Sequence, residues 1–343
     1  MIKKHEFILI TTSFRSGSSL LSKILNAHSK IAMSTDKIKF FRYCYDRYLP
    51  LNETNLNKMI KDLDSRLQKR FNICIDVDAI KKESIKNQFD QAKIYKAILE
   101  EYFKNHNKTI IGEMENLAWT KIPFFLDNVP DSKAMIILRD PRDVVTSFKK
   151  FTFAPGDDYL ISVFNLVDQM NHIIRLQSRY PSRFYCVRYE KLKRETEKEV
   201  RRITNFLNVK FEPSMLEDEN WLESTGKKWK NEKCSSFYDK SKPDDKELMN
   251  NPVERWKKII TDEDLFITEW ILSKQLDTFN FKKSNRKFSQ EIFNKSINKL
   301  TSSQLLRDAF KKWCETSEGV EKYPVDPLDP NGGHKEYLKR LKK

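Results

Sequence analysis

The sequence predicts an α/β protein whose parallel central sheet is flanked by helices. Short apolar runs of strand type stand at 6–12, 109–113, 134–138 and 184–188. Between them, apolar residues recur at helical spacing. No internal repeat is visible, and strands alternating with helices need crossover connections, which build parallel sheets.

The first strand is EFILITT at 6–12, bounded by the Ser13–Ser19 turn cluster, after which Leu20, Leu21, Ile24 and Leu25 mark one face of a helix. From Leu49 to Phe103 the chain is lysine-rich, with intermittent periodicity at Leu56, Met59, Ile60, Leu63 and Leu67, then Ile94, Ile98 and Phe103. This segment reads as a helical insertion at about 49–108, a lid over the core. TIIGE at 109–113 is a second buried strand, and AMIIL at 134–138 is the clearest after the first. Asp140-Pro141 follows, an N-cap residue and then proline at the first helical position, where its missing N–H costs nothing. Val144, Val145, Phe148 and Phe151 give that helix its apolar face, and Leu160, Val163, Phe164 and Val167 mark another. A strand at 184–188 leads to a helix with Val200, Ile203, Phe206 and Leu207 on one side. Residues 226–252 are polar and loop-like, long enough to point to a functional role. A helix resumes at 262–276, and past Phe281 the chain becomes a basic helical extension that closes in YPVDPLDPNGG. The expected organisation is therefore one domain over 1–280, carrying the insertion, and a basic C-terminal extension over 281–343.

With 343 residues the chain can bury a full core. Hydrophobic residues are only 39%, but 23 Phe, 12 Tyr and 6 Trp supply large buried areas, which excludes wholesale disorder. No stretch approaches the ~18 consecutive apolar residues of a membrane span. The N-terminal apolar run is short and lacks a small-residue cleavage site, so it reads as a strand and not as a signal peptide. Five scattered cysteines without a CxxC pair argue against a disulfide framework or a zinc site and fit a reducing cytosol, so a cytoplasmic location is expected.

The net charge of +15 implies affinity for anions, and residues 282–343 carry 15 Lys+Arg against 8 Asp+Glu. No helix-turn-helix, zinc-finger or RNP-type motif accompanies it, so nucleic acid is not the expected partner. A small phosphorylated ligand fits better.

Two motifs carry the chemistry. The first, Thr11-Thr12-Ser13-Phe14-Arg15-Ser16-Gly17-Ser18-Ser19-Leu20-Leu21, joins the first strand to the first helix. Such a loop turns backbone N–H groups toward an anion at a helix N-terminus. Ser18 and Ser19 add hydroxyls, Gly17 permits close approach, and Arg15 brings a planar cation. An ordinary strand–helix turn with Ser as N-cap fits the same residues. The nucleoside-triphosphatase loop needs G-x-x-x-x-G-K-[ST], whereas here Thr12 replaces the first glycine and Ser18 the lysine. That disfavours a metal-dependent kinase or ATPase. The second motif is Leu138-Arg139-Asp140-Pro141-Arg142-Asp143-Val144-Val145-Thr146-Ser147-Phe148, with Arg139 at a strand end and Ser147 two turns into the next helix.

Together these motifs resemble those of the sulfotransferases that use 3′-phosphoadenylyl sulfate (PAPS). RSGSSLL is similar to their 5′-phosphosulfate loop, in the Arg-Ser-Gly form of carbohydrate and tyrosylprotein sulfotransferases. LRDPRDVVTSF is similar to their 3′-phosphate motif, with Arg139 and Ser147 at the family's spacing of eight. Arg188-Tyr189-Glu190-Lys191-Leu192 resembles their Tyr-Glu-x-Leu segment. Ser235-Ser236-Phe237 and Pro252-Val253-Glu254-Arg255-Trp256-Lys257 look like the loop and tryptophan segment that close over the nucleotide. The likeness runs from Phe7 to Leu276, with 45–108 unmatched.

The resemblance implies the P-loop nucleoside-triphosphatase-like sulfotransferase fold and PAPS as co-substrate, with metal-free, in-line transfer to a hydroxyl acceptor, such as a carbohydrate. It implies nucleotide binding by Arg15, Ser16, Gly17, Ser18, Ser19, Leu20, Arg139, Ser147, Tyr189 and Ser236, with Arg15 also on the leaving-group side. Asn26-Ala27-His28-Ser29 resembles a tyrosylprotein sulfotransferase turn and, counting on, sets Asp36 at the catalytic carboxylate. Asp36 would take the acceptor's proton, or else cap a helix starting at Lys37. Glu113 and Glu115, in a segment similar to the family's Gly-Glu-Lys-Thr-Pro turn, are rivals for that role. Met114 stands where that turn has lysine, which moves the lysine contact to Lys121 or another lysine. The alternatives are a P-loop kinase-like phosphotransferase and a catalytically inactive nucleotide- or polyanion-binding protein.

Overall fold

A computed structural model describes residues 5–151, 154–222 and 252–323. Five strands, β1 (Glu6–Thr12), β2 (Ile31–Thr35), β3 (Ile110–Asn116), β4 (Ser132–Leu138) and β5 (Phe184–Arg188), form one sheet in the order β2-β3-β1-β4-β5. The sheet is all parallel, and the interiors of its central strands β1 and β4 are buried apolar runs, as sheets covered on both faces require. Register sets Thr12 beside Asn116, Thr35 beside Met114 and Thr11 beside Ile136, so these strands finish at one edge. Gly112 belongs to this packing, because a Cβ there would lie 2.3 Å from the carbonyl oxygen of Ile8.

Two compact units emerge. The first comprises the described residues of Met1–Thr12, Gly17–Ile137 and Leu176–Asn231. It holds the sheet, α1 (Ser18–Asn26), the single turn α2 (Phe40–Tyr43) and α6 (Ile122–Asn128). Between β2 and β3 run α3 (Glu53–Phe71), α4 (Val77–Lys86) and α5 (Gln91–Tyr102). Each of these three begins at a side-chain cap, Asn52, Asp76 or Asp90, accepting from a backbone N–H three residues on. After β5 come α9 (Tyr189–Arg194) and α10 (Thr196–Phe206).

The second unit comprises Ser13–Ser16, Leu138–Arg175 and the described part of Glu232–Lys343. It holds α7 (Pro141–Phe151), most of α8 (Ile161–Arg179), α11 (Trp256–Ile259), α12 (Asp262–Ile271), α13 (Ser273–Thr278), α14 (Gln290–Leu300) and α15 (Gln304–Thr316). The buried carboxylate of Asp264 on α12 gathers Lys149 of α7, Tyr159, and Lys299 of α14, at 2.8, 2.6 and 2.8 Å. No described helix is long and apolar enough to cross a membrane.

β2 is the strand that the sequence reading lacks, because IAMST offers neither an apolar run nor alternation. The helix expected at Lys37 is also absent. Asp36 and Lys39 are left-handed (φ 55° and 51°), and the turn of α2 starts at Phe40. Asp36 is therefore not its cap.

Candidate functional site

The loop after β1 and the segment after β4 meet inside the second unit. Ser13 and Ser16 hydroxyls lie 2.9 Å apart, both buried. Arg15 is left-handed (φ 66°), and two bonds fix it. Its Nε donates to Ser147 Oγ at 3.1 Å, and its carbonyl accepts from Arg139 at 2.7 Å. Arg139 is 3% exposed and also donates to the carbonyl of Pro252 at 2.6 Å. The two motifs thus converge, bringing Arg15, Arg139 and Ser147 together.

Around them, α7 begins as the sequence predicts. Asp140 caps it by accepting from the N–H of Arg142 at 3.0 Å, and it receives the guanidinium of Arg142 on both oxygens at 3.0 and 2.8 Å. Arg142 also donates to Glu269 at 2.7 Å, and its guanidinium lies 3.8 Å from the ring centre of Trp256. Asp143 faces Arg139 at 3.8 Å and accepts from the N–H groups of Glu254 and Trp256 at 2.9 Å each. Burial raises the Asp143 carboxyl above its ordinary pKa, and Arg139 opposes that rise. Trp256 therefore packs on α7, a placement reached through Asp143 and Arg142, which the sequence reading passed over.

In the first unit, Gly17 opens α1 with φ 102°, and the N–H groups of Leu20 and Leu21 bond back to its carbonyl. A Cβ there would sit 2.3 Å from the Tyr189 ring, so Gly17 is required by both conformation and contact. No side chain caps α1, and its first turn holds no acidic residue. Ser18 is buried, Ser19 exposed and Leu20 half-buried. Tyr189 thus backs the loop glycine at the start of α9.

Asp36 stands at the end of β2. Both of its oxygens accept from Asn116 Nδ2, at 3.0 and 3.1 Å, and Lys39 Nζ approaches to 3.2 Å. Its side chain is 35% exposed. Glu113 and Glu115 on β3 differ, both being 0% exposed. Glu113 accepts from the N–H groups of Lys39 and Phe40, and Glu115 from those of Phe41 and Arg42 at 3.1 and 2.7 Å. Two carboxylates thereby cap the orphan donors of α2. Burial pushes Glu113 up to about 7, opposed by those N–H groups and Arg66. It raises Glu115 as well, with the neighbouring charge of Glu113 adding to the effect.

Met114 is fully buried, and Lys121 pairs with Asp46 at 2.8 Å. His28 is a packing residue. One ring nitrogen contacts the carbonyl of Lys210 at 2.9 Å, and the other accepts from the N–H of Lys30 at 2.9 Å. Ser236 lies outside the described residues. Among the described residues, no three His, Cys, Asp or Glu side chains gather as a metal site would need.

A family model described as "Sulfotransferase family" matches residues 8–213. The sulfotransferase domain of the Synechococcus PCC 7002 olefin synthase superposes with a TM-score of 0.53 at 18% identity, over 82% of this chain and 96% of that one. That likeness shows the shared fold. The sulfotransferase domain of the curacin biosynthetic pathway gives 0.49 at 18%, over 82% and 100%. A mouse sulfotransferase solved with PAP gives 0.40 at 13%, over 92% and 90%. No curated protein matches the chain.

Proposed function

The chain belongs to the sulfotransferase family, and from that premise we propose that it moves a sulfuryl group from PAPS to the hydroxyl of an acceptor, a carbohydrate being the class its motif form favours. The observation that carries the reading is the meeting of Arg15 with Ser147 and Arg139. Two guanidinium groups and a buried hydroxyl suit a phosphate better than any neutral ligand.

In this reading Arg139 and Ser147 hold the 3′-phosphate. Arg15 faces the leaving-group side, where negative charge grows during transfer. Ser16, Gly17, Ser18, Ser19 and Leu20 belong to the 5′ end, by the serine hydroxyls and the backbone at the start of α1, which no side chain caps, while Tyr189 supports Gly17 from behind. The nucleotide supplies an activated sulfuryl group, and the protein supplies position and electrostatics. Asp36 is the base we assign, because a carboxylate that is one-third exposed and oriented by Asn116 can receive a proton from an arriving hydroxyl. In-line transfer without a metal is part of the proposal, as is a place for the protein in the cytoplasm.

Calorimetry on the full chain tests it. PAP should bind without added metal, and 5′-AMP should bind far more weakly. Arg139→Ala should erase most of that difference, about ten- to a hundredfold for a lost charge-assisted partner. Equal affinity of the wild type for both nucleotides would defeat the reading. Buried Met114 favours one second reading, a nucleotide-binding protein without turnover. Tight PAP binding with no PAP released from PAPS, across a panel of sugars and phenols, would select it.

A further inference from the structure

The segment that follows α15 ends its described course on the loop that follows β1, and we propose that Tyr323 is a positioning residue for Arg15. All of the groups involved lie in the second unit. Ser317 breaks α15 in a left-handed conformation (φ 57°). Glu318 then pairs with Arg175 at 2.6 Å. Gly319 lies so close to α8 that a Cβ would be 2.1 Å from the carbonyl oxygen of Phe164. Its own carbonyl accepts from Lys312 at 2.6 Å. The N–H of Val320 donates to Phe164 O at 3.2 Å. Asn165 binds both backbone groups of Lys322, accepting from its N–H and donating to its carbonyl at 2.9 Å each. A segment that admits only glycine at one point and exchanges two bonds with one amide at another is seated in a single register.

That register delivers Tyr323 edge-on to Phe14, with ring centres 5.6 Å apart at 70°. Phe14 in turn stacks on Phe148 at 5.3 Å and 10°. The next residue is Arg15, in a backbone conformation that side-chain-bearing residues avoid. Such conformations persist where the surroundings over-determine them. Arg139 holds the Arg15 carbonyl and Ser147 meets its Nε, while Phe148, next to Ser147 on α7, holds Phe14 by one face. Tyr323 adds a further hold, from a part of the chain that reads in sequence as a basic appendage. The consequence for nucleotide affinity rests on the sulfotransfer reading, whereas the consequence for the order of the loop does not.

Hydrogen–deuterium exchange on the full chain tests the loop directly. In Tyr323→Ala, amides of residues 14–17 should exchange about three- to tenfold faster, the range one aromatic pair supports. Tyr323→Phe should behave as wild type, since it keeps the ring. Gly319→Val should loosen the same amides by unseating the segment, even though it touches neither Phe14 nor Tyr323. The dissociation constant for PAP should rise by a similar factor in Tyr323→Ala and recover in Tyr323→Phe. Unchanged exchange at 14–17 in Tyr323→Ala overturns the proposal, and so does a Phe variant as fast as the Ala variant. If the wild type binds no PAP, the sulfotransfer reading fails while the exchange result still decides this one.

Discussion

The ends of β4 and β3 bury charge equally deeply but satisfy it in different ways. Past β4, side-chain charges answer one another alongside backbone groups: Arg142 grips Asp140 and Glu269, and Arg139 faces Asp143. On β3, Glu113 and Glu115 lean on backbone N–H groups of α2. Paired guanidinium groups stay charged at any working pH and present donors to an anion. Carboxylates committed to a helix start act as architecture. The difference teaches that depth of burial does not identify a catalytic acid. On the carboxylate side, the proposal gives the chemistry to Asp36 at the rim, 35% exposed, and not to the more deeply buried pair.

The largest expected effect would break or confirm that division. Asp36→Asn should lower turnover about a hundredfold or more, the scale of a lost general base, with PAP affinity unchanged. Glu113→Gln should keep turnover within a few-fold, since an amide oxygen still accepts from one of the two N–H groups. The measurement is PAP release from PAPS with the best acceptor found in a panel of sugars and phenols. The reverse outcome would move the base onto β3 and invert the comparison.

Next in size is a stability effect on the β3 side. Glu113→Ala strips acceptors from the N–H groups of Lys39 and Phe40 and should cost about 2–3 kcal/mol in urea unfolding. The pH dependence has a definite sign. Glu113 is raised from 4.5 to about 7 in the folded chain, so between those values the native state keeps a proton that the unfolded state has released. Stability from this group therefore falls as pH rises from about 4.5 to about 7 and levels off above. Glu113→Gln should flatten that slope, measured as unfolding midpoints across pH 5–8.

How much of this was legible differs between the two regions for a physical reason. At β4, a buried apolar run, an Asp-Pro helix start and an Arg–Ser spacing of eight lie within fifteen residues, so local sequence encodes strand, cap and the Arg139–Ser147 pair together. Glu6–Thr12 and Phe184–Arg188 were equally plain. At β3, the caps of α2 come from residues over seventy positions away, and no local signal announces them. Asp36 therefore read as a possible helix cap, and IAMST gave no strand signal because its burial is tertiary. The strap after α15 was invisible for the same reason, since Gly319 carries meaning only once α8 lies beneath it.

The smallest expected effect sharpens the comparison at its weakest point, the lysine that Met114 replaces. Lys121 is the first lysine after Met114, but its ammonium is paired with Asp46 at 2.8 Å and lies 4.9 Å from the Tyr45 ring centre. Asp46 is 62% exposed, so the pair contributes at most about 1 kcal/mol. Lys121→Ala should therefore shift unfolding only slightly and leave PAP release unchanged. Lys39, at 3.2 Å from Asp36 and 16% exposed, is the cation standing beside the assigned base. If Lys121→Ala instead cut turnover more than tenfold, charge near the acceptor would come from the surface pair. Lys39 would then be a structural partner of Asp36, and the end of β3 would owe its chemistry to a residue outside the Asp36 cluster.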